Sequence, residues 1–293
     1  MINKRVAKVL DRFRITSGKG FRLKDHDPGD TGGLDLQKDH AADLLQQGIE
    51  RLAELQDMLY AQDRWSMLCI FQAMDAAGKD GVIKHVFSGI NPQGCQVHSF
   101  KQPTPVDLDH DFLWRHSVAL PERGRIGIHN RSWYEEVLVV RVHPDLLTKE
   151  KLPPRLVGKT IWEERLEDIA AYERYLARQG TVVLKFFLHV GKGEQKRRFL
   201  SRIEEPEKNW KFSAADVAER GHWDAYMSAY EEAIRGTAAK HAPWYVVPAD
   251  NKWFTRLLVE AAIVEALEGL DLHYPKVTKA EKAALEVARK ALV

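Results

Sequence analysis

Short, almost wholly apolar runs recur along this chain with helical stretches between them, and that alternation leaves few folds open. Met67-Leu68-Cys69-Ile70-Phe71 is such a run, as expected of a parallel strand buried on both faces. Gln96–Phe100, Arg125–Ile128, Val182–Leu188 and Trp244–Val247 are four further expected strands. Amphipathic stretches lie between and beyond them: Val82–Phe87, Asp109–Leu120 (Phe112, Leu113 and His116 on one side), Ser132–Val142, Thr160–Arg178, Glu194–Ile203, Trp223–Ala239 and Lys252–Leu267. Strands alternating with helices predict an α/β fold with helices on both faces of the sheet. Before the first strand, residues up to about Asp35 are punctuated by Gly and Asp and read as an extended arm. Leu36–Gln62, with Leu45, Ile49, Leu52, Leu55 and Leu59 at helical spacing, predicts one long helix. Pro275 marks a break, and Lys279–Leu292 reads as a separate terminal helix.

The 293 residues fit one large α/β domain or two small ones. Cys69 and Cys95 cannot build a secreted disulfide framework, and no Cys/His cluster suggests zinc. No apolar run is long enough to span a bilayer, and Met1-Ile2-Asn3-Lys4 leads into a polar stretch without a signal core. A reducing cytoplasm is the expected setting. A net charge of +2 gives no support for nucleic acid binding, so local clusters must hold any anionic partner. The histidines show no metal-ligand spacing and are expected to be solvated or packing residues.

The strongest local signal follows the first apolar run: Gln72-Ala73-Met74-Asp75-Ala76-Ala77-Gly78-Lys79-Asp80-Gly81. A strand, a turn, Gly-Lys and a helix in that order are the parts of a phosphate-binding loop. In such a loop, here Ala76, Ala77, Gly78 and Gly81 with Lys79, backbone N–H groups and a lysine hold phosphate. Ala73 replaces the usual first glycine, and Asp80 stands where a magnesium-binding hydroxyl is usual. Carboxylates beside phosphate repel it unless a cation intervenes, so Asp75 and Asp80 together imply Mg²⁺. Asp80 alone also fits as a first-turn helix acid, which does not explain Asp75.

The third strand runs into His129-Asn130-Arg131-Ser132-Trp133-Tyr134-Glu135-Glu136. Arg131 and Glu135 would project from the carboxyl end of the sheet, where ligands bind in open α/β folds. A capping Ser132 followed by first-turn acids fits the same residues. Lys185, Lys192, Lys196, Arg197, Arg198 and Arg202 lie in or after the fourth strand, and Lys208 and Lys211 flank Trp210. Such a run is a solvated helix face or, in a phosphoryl-transfer enzyme, the place where a lid supplies arginine.

Phe71–Gly81, Asn130–Glu135, Glu194-Gln195-Lys196-Arg197-Arg198-Phe199 and Asn209-Trp210-Lys211-Phe212-Ser213 together resemble the family-2 polyphosphate kinases, in register from Gly20-Phe21-Arg22-Leu23 to about Pro275. The resemblance implies a three-layer α/β/α P-loop kinase fold with a parallel sheet and a helical lid. A single kinase-like domain over 1–293 is therefore expected, with an N-terminal arm and helix over 1–64 and a lid over about 190–222. The implied activity is Mg²⁺-dependent phosphoryl transfer between inorganic polyphosphate and nucleotides. Carried over residue by residue, it takes Asp75, Lys79, Asp80, Arg131, Glu135, Arg197 and Arg198 as catalytic. Asp75, Asp80 and Glu135 face the metal, and Lys192 holds phosphate beside the loop. Asn130, where the ADP-driving type often has Asp, points to the subclass that also accepts AMP. Expected partners are polyphosphate and AMP or ADP, with no nucleic acid and no membrane, and a homo-oligomer is expected. An ATP-dependent nucleoside monophosphate kinase and a non-catalytic polyanion- or nucleotide-binding protein are the alternatives. Pure anion binding gains nothing from the acids.

Overall fold

The structure, a computed structural model, describes residues 4–34 and 38–293. In chain order its helices and strands are α1 (Lys4–Phe13), β1 (Arg14–Ile15), α2 (Lys38–Gln62), β2 (Ser66–Ala73), α3 (Lys79–Val86), β3 (Cys95–Ser99), α4 (Pro105–Leu108), α5 (Trp114–Ser117), β4 (Ile126–Asn130), α6 (Glu135–Val142), α7 (Ile161–Arg178), β5 (Thr181–His189), α8 (Lys192–Glu204), α9 (Ala214–Glu219), α10 (Trp223–Thr237), β6 (Trp244–Pro248), α11 (Lys252–Glu268) and α12 (Lys279–Leu292). The sheet order is β1-β6-β5-β2-β4-β3, parallel throughout except for β1, which pairs antiparallel with β6. Central β2 is apolar because both its faces are covered: Met67 through Phe71 are fully buried. Helices α1, α2, α3 and α11 pack together on one face, and α6, α7 and α10 on the other, giving three layers. The chain leaves β2 toward β3 on one side and later crosses to β5 on the other. The carboxyl end of β2 therefore lies at the topological switch point, where open α/β sheets bind ligands.

The five expected strands are present. The N-terminal arm differs: it begins with α1, whose Val6, Val9, Leu10 and Phe13 recur at helical spacing and are all buried. The two residues of β1 then add a sixth strand at the sheet edge, through backbone pairing that leaves no side-chain pattern. Residues 16–34 have one short helical turn at Leu23–Asp25 and dock on α10, where Arg235 donates to the Phe21 carbonyl and Glu231 accepts the Leu23 N–H. The helix expected over Asp109–Leu120 forms only at α5, because the Asp111 carboxylate takes the Leu113 N–H at 2.9 Å and turns the chain instead. Leu36, the expected start of the long helix, lies outside the described residues. From Tyr274 onward every residue is exposed.

Candidate active site

The loop between β2 and α3 carries two left-handed residues, Ala76 (φ 60°) and Gly78 (φ 107°). The turn at Gly78 needs glycine, since a side chain resists that backbone region. Val82 N–H donates to the Gly78 carbonyl to start α3, and no side chain caps the helix, so its first-turn N–H groups carry the partial positive charge that attracts anions. Lys79 folds back over the loop and donates to the Ala73 carbonyl at 3.0 Å. Burial lowers its pKa and Arg131 lowers it further, while Asp75, Glu135 and Asp80 oppose both.

The strand-end motif arrives beside this loop because β4 pairs with β2, setting Asn130 opposite Phe71. Arg131 has φ 69°, and its N–H donates to the Phe71 carbonyl. Its guanidinium lies 3.6 Å from Asp75 and 3.3 Å from Glu135. Glu135, then Asp75, holds the Arg131 pKa up against burial. Glu135 also accepts from Gln72 at 2.8 Å, and Asn130 donates to Asp80 at 2.7 Å. Asp75, Lys79, Asp80, Arg131 and Glu135 thus meet at the end of β2. Sequence reasoning missed the amides Gln72 and Gln195, which fix Glu135 and the Asp75 carbonyl. Their only signal was polarity at positions that proved to be buried.

The basic cluster divides. Lys185 does not belong with the lid cations: it is fully buried in β5 and paired with Glu173, because its side chain points into the α6–α7–α10 layer. Arg198 is also buried and has all five donors occupied. They go to Glu194, to the loop carbonyls of Ala76 (3.0 Å) and Ala77 (2.7 Å), and to the carbonyls of Ala249 and Asp250. It braces the loop backbone. Arg197, one position along, is exposed and paired with Glu194. Lys192 is exposed at the start of α8, 5.8 Å above the Trp223 ring. Arg202 reaches Asp216, tying α8 to the segment that follows it. Gly81 has open space where a Cβ would stand.

A cavity of about 390 Å³ opens beside the loop. Asp75, Arg131 and Glu135 line one part, and Phe112, Val139 and Leu146 give it apolar wall. Behind the lining residues Glu136 and Glu150, Arg165 bridges the two carboxylates, and burial followed by Glu150 pushes the Glu136 carboxyl up to about 8. No group of three His, Cys, Asp or Glu able to hold a metal occurs among the described residues. The carboxylates at the loop are hard oxygen donors separated by Arg131, and they do not form a protein cage.

A parallel sheet whose central strand delivers Gly-Lys to a charge-lined crevice defines a kinase of the P-loop type. The family described as Polyphosphate kinase 2 (PPK2) matches residues 35–275, and the chain belongs to it. An ADP-polyphosphate phosphotransferase of Rhodopseudomonas palustris is 55% identical over 257 residues, covering 87% of this chain and 89% of that protein. An AMP/ADP-polyphosphate phosphotransferase of Meiothermus ruber is 44% identical over 278 residues, covering 94% of this chain and 100% of that one. The crystal structure of polyphosphate kinase 2 from Arthrobacter aurescens superposes with a TM-score of 0.86 at 39% identity, covering 98% of both chains.

Proposed function

We propose that this protein is a polyphosphate:AMP/ADP phosphotransferase. The observation that carries the reading is the alternating Asp75–Arg131–Glu135 cluster against the Lys79 loop, opening on a cavity large enough for a nucleotide. Phosphoryl transfer asks for positioning and charge neutralisation more than for covalent chemistry. Backbone N–H groups at the uncapped start of α3, after Gly78, and the Lys79 ammonium hold phosphate, while the Ala77 N–H closes the loop onto the Met74 carbonyl. Arg131 neutralises the transferred group, and the cavity receives the acceptor nucleotide.

Asp75, Asp80 and Glu135 are the residues that would hold Mg²⁺. This cation keeps several waters and takes one or two carboxylates with substrate phosphates, ligands that these residues would supply. When bound it supplies neutralisation of phosphate charge. Beyond Arg198, Lys252 lies near Arg256, Lys208 and Arg197: burial lowers the Lys252 pKa, and these cations lower it further. Cations gathered against their own repulsion suit a polyanion, and with Lys192 they form the track for the donor chain. Arg198 belongs to the loop, so within the lid of about 190–222 the moving part is the segment after α8. The enzyme acts in the cytoplasm as a homo-oligomer. No helix among the described residues is long and apolar enough to cross a membrane.

The test is nucleotide production from AMP or ADP with Mg²⁺ and polyphosphate as the sole donor, beside the same reaction with ATP as the sole donor for AMP. Transfer from polyphosphate is expected. Transfer from ATP alone would make the protein a nucleoside monophosphate kinase, and transfer from neither would leave a binding protein.

A further inference from the structure

Lys185 sits in the middle of an interior strand, between Ile70 of β2 and Trp244 of β6. A buried ion pair is weak evidence for stability, since packed apolar residues in its place are often neutral or stabilising. This pair is nevertheless completely wired. Lys185 gives its three N–H donors to Glu173, to the Tyr134 hydroxyl at 3.2 Å and to the Thr237 carbonyl at 2.8 Å. Glu173 accepts the Tyr134 hydroxyl at 2.7 Å and the Trp133 indole N–H at 3.4 Å. Burial raises the Glu173 pKa and lowers that of Lys185, and each charge opposes the other's shift.

Trp133 and Tyr134 are fully buried, and they lie inside the turn whose ends are Arg131 and Glu135. The turn is strained, with Arg131 at φ 69°, and it closes through Glu135 N–H to the Ser132 carbonyl at 3.0 Å. Strained backbone persists only where its surroundings over-determine it. Below this turn the surroundings are the network around Glu173.

We propose that buried Glu173 is a positioning residue: by accepting from Tyr134 and Trp133 it holds the strained turn that presents Arg131 and Glu135 to the phosphate loop. Lys185 neutralises the Glu173 charge in the interior, and neither residue touches a reacting atom. The activity readout rests on the functional reading above; a second readout does not.

Tyr134→Phe removes the hydroxyl and keeps the ring against Trp244. It is expected to lower kcat by about tenfold or more while the polyphosphate KM stays within about twofold. Two double variants make the test independent of that one. Lys185→Met with Glu173→Gln removes both charges and keeps an oxygen to accept from Tyr134, so kcat should stay near parental. Lys185→Met with Glu173→Leu removes the Glu173 acceptor from both Tyr134 and Trp133 and leaves Tyr134 the Thr237 hydroxyl at 2.8 Å, so kcat should fall toward that of Tyr134→Phe. Amide hydrogen exchange over residues 129–137 should rise about tenfold in Tyr134→Phe and in the Leu double variant, and stay parental in the Gln double variant. Equal kcat and equal exchange in the two double variants would overturn the proposal, even if Tyr134→Phe failed to fold. Absence of polyphosphate-driven transfer in the parent would sink the functional reading instead, and the exchange comparison would still decide this one.

Discussion

Lys79 and Arg198 are both cations at the phosphate loop, yet only Lys79 has donors left for a ligand. Its ammonium gives one N–H to the Ala73 carbonyl, whereas every N–H of the Arg198 guanidinium is committed to the protein. Lys79→Ala is therefore expected to keep the parental melting temperature and lose about 10²–10³ in kcat, read by nucleotide formation. Arg198→Ala leaves buried carbonyls unmatched, so it should lose about 2–4 kcal/mol in denaturant unfolding as well as activity. Arg197→Ala should leave the melting temperature unchanged and raise only the polyphosphate KM, less so at higher salt, where the same attraction is screened in the parent. If Arg198→Ala melts like the parent, the brace is not what the hydrogen bonds indicate. The motif marked both arginines as cations, but a sequence does not say which of two neighbours faces the core. That depends on where α8 meets the Ala249–Asp250 turn, a contact between segments some fifty residues apart in the chain.

Strands β2, β4, β5 and β6 were legible because burial on both faces favours short apolar runs, which Lys185 in β5 and His129 in β4 break without ending the strand. The start of α6 was not legible. Ser132 through Tyr134 continue its pattern but form the tight turn, since β4 must release the chain at Arg131 beside the loop. The two terminal helices give a contrast at this scale. Helix α1 buries Leu10 and Phe13 against the core, with Phe13 edge-on to Phe254 at 5.6 Å. In α12 every residue is exposed, and the family match ends at 275. A chain ending at Pro275 should keep the parental kcat and melting temperature. A chain starting at Thr16 loses α1 and β1, exposes the β6 edge and should be found largely in the insoluble fraction. A truncation at Pro275 that lowered the melting temperature by more than about 3 °C would show that α12 packs in a way its exposure hides.

Across the whole molecule, stability is set partly by groups far from the loop, and Glu260 is the clearest of them. It lies in α11 with only 3% of its surface exposed, against α2 at Gly48, where a Cβ would come within 1.8 Å of its carboxyl oxygen. Burial alone pushes its pKa from 4.5 up to about 8. The folded state therefore holds a proton between about pH 4.5 and 8 that the unfolded chain releases. A carboxyl raised in this way lets stability fall as pH rises through that window. The buried imidazoles act with the opposite sign. Burial depresses His129 and His189 to about 4, so the unfolded chain binds their protons first and stability falls as pH drops below 6.5. The two effects together place the stability maximum near pH 6.5. Glu260→Gln removes one and leaves the other. The variant should match the parent at pH 4 and exceed it at pH 7 by on the order of 3 kcal/mol, from about 2.5 pH units at 1.36 kcal/mol each. Urea unfolding midpoints at pH 4, 5.5, 7 and 8 measure this directly. A gap between variant and parent that is constant across all four would mean Glu260 does not change its protonation on unfolding, and its contact with Gly48 would then be packing alone.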